Sequence, residues 1–409
     1  MREVSRVFKT VIYPTNEYYA LFLEGCHNSK NLYNRVMYVE RQCFFNNEKI
    51  KSNYTISKLL QDDLDYPDYK KMFTAQSAQQ TIKQAVDVWK SYLKAKKAYK
   101  EDPEKFTGEP RFPRYKEKDG YFPLTFTNQN CKLKGNIITF PKSCKGYTIT
   151  VDKEKIDGFK KLSEIKIVPK KDYLLVLVTY TKKIFDVSTK KSKHILGIDI
   201  GLNNLASCVD NKGIVSFIID GRYLKSINQG FNKVVASYSS KLERVNNLKT
   251  SKHLRAMCIN RANKVENYLQ KATRKIINIC KKNKIDTIIV GYNEGWKTRI
   301  DLSKRFNQNF NYMAFRRLLD ILKYKCEDEH IIFIETEESF TSKTSFIDHE
   351  QPIKGDYKKR RVKRGLFKSN EGVYINADIN GAYQIINKRF KCEYKEGFKR
   401  SGYKIDVLN

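Results

Sequence analysis

The chain has 409 residues and is 40% hydrophobic, enough for the apolar cores of two or three domains. Its 79 lysines and arginines outnumber 45 aspartates and glutamates, and the resulting +34 is spread along the whole length, which points to extended contact with a polyanion, nucleic acid by default. No apolar run approaches the roughly 18 residues of a membrane span, no signal peptide is read at Met1–Tyr13, and nine scattered cysteines without a Cys-x-x-Cys pair indicate free thiols in a reducing compartment.

Ser5 to Val11 reads as a short basic strand, followed by a helical region from about Asn16 to Tyr99. Its clearest helix is Ala75 to Tyr99, where Ile82, Ala85, Val86, Trp89 and Leu93 recur at three- and four-residue steps. The other face carries Lys83, Lys90, Lys94, Lys96 and Lys97, either as a solvated surface or as a phosphate contact. Gly108 to Tyr115 contains Pro110 and Pro113 and cannot be a regular helix. Its basic and aromatic residues, Arg111, Phe112, Arg114 and Tyr115, suit stacking on and backbone contact with single-stranded or irregular nucleic acid. Short alternating runs from Tyr121 to Tyr180, among them Leu174 to Tyr180, predict a small β domain that ends in a linker at Thr181 to Ser192.

His194 to Ala206 reads as a buried strand with a carboxylate, Asp199, between Gly197 and Gly201. A buried unpaired charge is costly, so the acid either meets a cation or stands at the open end of a sheet. Gly213 to Asp220 continues as a strand, and a helical pair follows from about Gly230 to Lys284. In its second half Cys258, Ala262, Val265, Leu269, Ala272, Ile276 and Ile279 mark a core stripe flanked by Arg255, Arg261, Lys264, Lys271 and Arg274. A strand at Asp286 to Gly291, a helix at Phe310 to Asp328 and a strand at His330 to Glu335 complete an α/β pattern with parallel strands. Such sheets carry their sites beyond the carboxyl ends of the strands. Glu337 and Glu338 lie just past the last strand, and Asp378 opens the final helix. Three acids at one edge are what a pair of Mg²⁺ or Mn²⁺ ions needs for phosphodiester cleavage, and the plainer alternative is scattered surface carboxylates.

Gly197-Ile-Asp-Ile-Gly-Leu-Asn-Asn-Leu-Ala206 and Asn376-Ala-Asp-Ile-Asn-Gly-Ala-Tyr383 resemble the first and third RuvC motifs of the TnpB family, the transposon-encoded ancestors of type V CRISPR effectors. Gln76 to Tyr115 is similar to the family's recognition helices and their return into its wedge domain, and Phe340-Thr-Ser-Lys343 to the segment before its zinc ribbon. The resemblance implies an α+β multidomain chain: a wedge-like β domain (1–15 and 106–190), an inserted helical recognition domain (16–105), and a RuvC-like α/β domain of RNase H fold (191–409) with a ribbon insert at about 341–374. It also implies a transposon-encoded, RNA-guided DNA endonuclease that uses Mg²⁺ or Mn²⁺ and a transposon-derived guide RNA. The expected protein cuts double-stranded DNA beside a short adjacent motif, acts as a monomer with its RNA, and works in the cytoplasm of a prokaryote on the nucleoid. A nuclease-inactive RNA-guided repressor is the alternative.

Two positions depart from the family. Where its ribbon has paired Cys-x-x-Cys, this chain has Ser345 and Asp348, then Lys368 and Glu371, so zinc is not expected. Between them Lys358 to Arg364 holds six basic residues in seven, read as a nucleic-acid contact or as a basic loop. Gly291 stands where the family usually has a catalytic glutamate, which leaves Glu294 in the following loop or Glu338, similar to the relocated glutamate of some TnpB and Fanzor proteins. Parallel neighbouring strands ending at Gly291 and Glu335 favour Glu338, giving Asp199, Glu338 and Asp378 as the catalytic and metal-holding set. The expected nucleic-acid contacts are Lys90, Lys94, Arg111, Arg114, Tyr115, Arg255, Arg261, Lys358, Lys359, Arg360 and Arg361.

Overall fold

The computed structural model describes residues 1–151, 159–187, 192–248, 250–293, 314–357, 360–363 and 365–408. Glu294, Lys358, Lys359 and Arg364 lie outside the described residues. The chain divides into Met1–Ile184 and Phe185–Asn409.

In the first unit β1 (Arg2–Ile12) precedes α1 (Tyr19–Phe45), α2 (Asn53–Gln61) and α3 (Ala75–Glu101). The predicted helical region is thus three helices, two of them started by side-chain caps: Ser52 Oγ accepts Thr55 N and Thr74 Oγ1 accepts Ser77 N, each at 3.1 Å. Then come β2 (Leu124–Thr127), β3 (Lys132–Lys134), β4 (Ile137–Thr139), β5 (Thr148–Thr150), β6 (Phe159–Pro169) and β7 (Leu174–Ile184). The main sheet runs β1-β7-β6-β2, and β3-β4-β5 form a second small one. The α3 stripe of Ala78, Ile82, Ala85, Val86 and Trp89 is fully buried in the same core as Phe126, Ile165 and Val176, so helices and strands share one interior.

Residues 106–118 cross this unit as a strap with no regular structure in its Pro-rich part. Asn34 on α1 donates to Lys116 O at 3.0 Å and accepts its N–H at 2.8 Å, and Arg41 donates to Pro113 O at 2.6 Å. Phe112 packs among Phe44, Trp89 and Tyr92 with centroids 5.1–6.2 Å apart, and Tyr115 lies under the Arg41 guanidinium at 4.2 Å. Each ring thus has a neighbour within the unit, Phe112 the aromatic cluster and Tyr115 the Arg41 guanidinium, while Phe112 remains 37% and Tyr115 42% exposed. Arg111 and Arg114 remain exposed.

The second unit begins with β8 (Ile195–Ile200), β9 (Asn204–Asp210) and β10 (Ser216–Asp220), followed by α4 (Arg222–Asn246), α5 (Lys252–Lys282), β11 (Thr287–Gly291), α6 (Phe315–Asp328) and β12 (Ile332–Thr336). A small sheet of β13 (Arg361–Lys363), β14 (Leu366–Lys368) and β15 (Tyr374–Asn376) leads directly into α7 (Ala377–Asn387), and β16 (Tyr403–Ile405) closes the chain. The central sheet runs β12-β11-β8-β9-β10-β16, with β8, β11 and β12 parallel and β9 antiparallel to β8. Period-two alternation divides it: Leu196, Ile198, Ile200, Ile288 and Val290 pack against α5 and α6, whereas Ile195 and Ile289 pack against α7. The α5 core stripe starts only at Val265, since Cys258 and Ala262 are exposed. No helix among the described residues is long and apolar enough to cross a membrane.

Helix α7 crosses β8 very closely. A Cβ on Gly197 would stand 2.5 Å from Ala382 O, and one on Gly381 would stand 2.6 Å from Asp199 Oδ2. Gly197→Ala therefore forces the helix off the sheet and should destabilise the second unit by about 1–3 kcal/mol, seen as a lowered Tm in thermal unfolding.

Candidate active site

Asp199 lies on the same face of β8 as Ile195 and Gly197, one residue before the strand's carboxyl end, and so points toward α7. Its partner across the antiparallel pair is Ser207, whose buried Oγ has no hydrogen-bond partner among the described residues. Asp378 sits in the first turn of α7, where the exposed N–H groups and helix dipole favour a carboxylate. Asn376 caps that turn, its Oδ1 accepting Asp378 N at 3.0 Å and Ile379 N at 3.1 Å. Asn204, at the start of β9, donates from Nδ2 to Asp378 Oδ2 at 2.6 Å and fixes its direction.

Glu338 enters from the far side. Register pairs Gly291 with Thr336, and Tyr292 N donates to Thr336 O at 2.8 Å, so β11 and β12 end side by side. Two residues later Glu338 N donates to Asn293 Oδ1 at 3.1 Å. A Cβ on Gly291 would lie 3.1 Å from Glu338 Cβ and 2.6 Å from Ile385 Cδ1. A side chain at 291 would meet Ile385 first and the root of the Glu338 side chain next, so the two positions open on the same place.

Asp199, Glu338 and Asp378 line one pocket of about 880 Å³, together with Ser207 and Arg361. Burial pushes the Asp199 carboxyl well above the usual range; Glu338 and Asp378 push it further and Arg361 opposes them. Burial, reinforced by Glu337, raises Glu338 to about 7. The donors are all oxygens, three carboxylates and an unpartnered hydroxyl, the chemistry that Mg²⁺ or Mn²⁺ prefers. Among the described residues no three His, Cys, Asp or Glu side chains are grouped so as to hold a metal ion; the three acids share the pocket wall.

Lys90 and Lys94 are exposed on α3, Lys90 with Asp87 at 3.9 Å, and Arg255 is exposed on α5. Arg261 donates to Asn228 Oδ1 at 2.8 Å and lies over the Phe231 ring at 5.3 Å, which ties α4 to α5. Arg360, expected on a nucleic-acid surface, is instead buried: its side chain is 8% exposed and paired with Asp348 and Glu350. Arg361 next to it faces the acidic pocket. Sequence reasoning missed Ser207, for which no signal exists, and Asn204, which lies inside the first quoted motif.

The second unit is thus a mixed α+β fold with an acidic, oxygen-donor pocket at one sheet edge. A family model described as a probable transposase matches residues 175–297, and one described as the Cas12f1-like TNB domain matches residues 315–385. The chain accordingly resembles the TnpB-like transposases, as its motifs imply. Among solved structures, a Cas12f1–sgRNA–target DNA complex is 16% identical at a TM-score of 0.55, over 92% of this chain and 84% of that one, a likeness of fold. The mini-RNA-guided endonuclease CRISPR-Cas phi3 aligns at 10% identity and a TM-score of 0.44, over 95% of this chain and 92% of that one. No curated protein matches the chain.

The raised carboxyls make a pH-dependent stability expectation. Because folded Glu338 holds its proton to about 7, above the ordinary 4.5, its contribution to stability falls as pH rises between those values and stays low above. In chelator-containing buffer Glu338→Gln should raise the Tm above pH 7, by a change worth at most about 3 kcal/mol, and the gain should vanish below pH 4.5. Thermal unfolding of both proteins across pH 4–8.5 checks this.

Proposed function

We propose that the protein is a transposon-encoded, RNA-guided DNA endonuclease whose second unit is a RuvC-like nuclease of RNase H fold, cutting double-stranded DNA beside a short transposon-adjacent motif. The observation that carries this is the meeting of Asp199, Glu338 and Asp378 in one pocket from three separated stretches of chain. Together they would hold the divalent cations, which when bound supply a water of lowered pKa and neutralise charge at the phosphate. Arg361 meets the scissile phosphate from the same pocket and offsets the crowding of carboxylates. Asn204 keeps Asp378 turned inward. The strap presents Arg111 and Arg114, α3 presents Lys90 and Lys94, and α5 presents Arg255, all toward solvent as a guide RNA and its DNA target require. The matched-domain complement supports the same reading, since both family matches fall on the elements that build the pocket.

The test is to purify the protein with its flanking transcript and supply a plasmid matched to that RNA in Mg²⁺. Replacing Asp199, Glu338 or Asp378 by Ala should lower cleavage by about a thousandfold or more while target binding persists. Because positions 291 and 338 adjoin, Gly291→Glu placed in the Glu338→Ala protein should restore part of the cutting once the flexible end of Ile385 gives way. A dead Glu294→Ala protein beside an active Glu338→Ala protein would assign the third carboxylate to Glu294. A parent that binds matched DNA and never cuts it would make the chain a repressor.

Affinity for the guide RNA should also fall steeply with salt, the logarithm of the binding constant dropping linearly with that of the salt concentration as many phosphate contacts are lost. Filter binding from about 50 to 200 mM salt measures the slope, and a flat response would count against a phosphate-dominated interface.

A further inference from the structure

Zinc ribbons are held by a cation at the crossing of two turns, and the corresponding turns here have no thiol. Ser345, Asp348, Lys368 and Glu371 do not make a zinc donor set. Another cation stands between the turns instead. The Arg360 guanidinium, 8% exposed, donates to Asp348 Oδ2 at 3.0 Å, to Asn370 Oδ1 at 3.3 Å and to Glu350 Oε2, and lies over the Phe367 ring at 5.5 Å. Its backbone oxygen accepts Lys368 N at 3.0 Å. The acids are bound in turn: Asp348 accepts Asn370 N at 3.0 and 3.1 Å, and Glu350 Oε2 accepts Ser345 N at 2.8 Å. The bonds from Arg360 and Asn370 to Asp348 and Glu350 join the 345–350 turn to the 360–370 segment, and the others close one or the other of the two.

The knot is anchored on α7. Asn380 donates to Thr344 O and accepts Phe346 N, at 2.8 and 2.9 Å, and Gln384 donates to Glu350 O at 2.8 Å. On the other side Arg361 follows Arg360 immediately and lines the acidic pocket, while β15 runs without a break into the turn that presents Asp378.

We propose that Arg360 does in this ribbon the mechanical work of the zinc ion: its guanidinium clamps the two turns together and so positions Arg361 and the start of α7 at the pocket. The clamp belongs to the fold alone; its effect on cutting rests on the endonuclease reading. Arg360 is a positioning residue, since its own side chain is enclosed by acids and reaches no substrate.

The experiment compares the parent, Arg360→Ala, Arg360→Lys and Arg361→Ala as full-length proteins with bound RNA. In the absence of substrate, the parent should melt at the same temperature with and without 1,10-phenanthroline, and Arg360→Ala should lose about 5–15 °C. On matched plasmid, Arg360→Ala should bind target normally but cut about a hundredfold more slowly, as expected when a catalytic group is displaced by an ångström. Methylguanidinium, which carries the planar cation the Ala side chain lacks, should restore its cutting and leave Arg361→Ala unaffected. Arg360→Lys, with the charge but not the fork, should fall between parent and Ala. One zinc per chain with chelator-sensitive melting, or an Arg360→Ala protein that melts like the parent, would overturn the clamp. Loss of cutting that methylguanidinium does not reverse would overturn the positioning role. If the parent itself never cuts, the endonuclease reading falls, and the melting and chelation measurements still decide the clamp.

Discussion

The second unit depends on the close crossing of α7 over β8. Two glycines make it possible: Gly197 admits the carbonyl of Ala382, and Gly381 admits the carboxylate of Asp199. With the helix seated there, its first turn holds Asp378 beside Asn204, its middle grips the ribbon through Asn380, and its later residues Ile385 and Ile386 fill the space under Gly291 and Gly197. A side chain at either crossing point would separate the two aspartates and loosen the ribbon in one step. Sheet, helix and ribbon are therefore one mechanical object around the pocket.

That object stores unfavourable electrostatics. Carboxyls that are buried and crowded together hold their protons harder than exposed ones, as the raised positions of Asp199 and Glu338 show. A chain selected only for stability would place amides or apolar groups there. Arg361 is the partial compensation, the cation that lowers Asp199 while its neighbour Arg360 is withdrawn into the ribbon. Two adjacent arginines thus face opposite ways, and alternation along an extended segment is the reason.

The first unit has its own basic segment, the strap. Along the strap, Phe112 leans on the aromatic cluster of α1 and α3 and Tyr115 on the Arg41 guanidinium, each still partly in solvent, and Arg111 and Arg114 are exposed. The basic-aromatic stretch keeps one side of each ring in water: contact with the cluster and with Arg41 holds the rings in place, and the guanidinium groups of Arg111 and Arg114 stay solvated because desolvation is costly.

The sequence by itself determined the strand that carries Asp199, the α3 stripe, the non-helical strap, and the candidacy of Asp199 and Asp378, because hydrophobic period, proline and misplaced charge are local signals, whereas the choice of Glu338 came from the resemblance to a family. It also held the relation between Gly291 and Glu338, through the inference that two parallel strands end as neighbours. Tertiary structure alone decided that helices and strands of the first unit share one core, that α5 enters the core only from Val265, that Ser207 faces the acids, and that Arg360 is a buried clamp while Arg361 is a pocket residue. These outcomes depend on which distant surfaces meet. A run of like residues carries no mark of which of its members will be enclosed, since enclosure is set by partners the fold brings up, for Arg360 those 10 and 12 positions away on neighbouring turns.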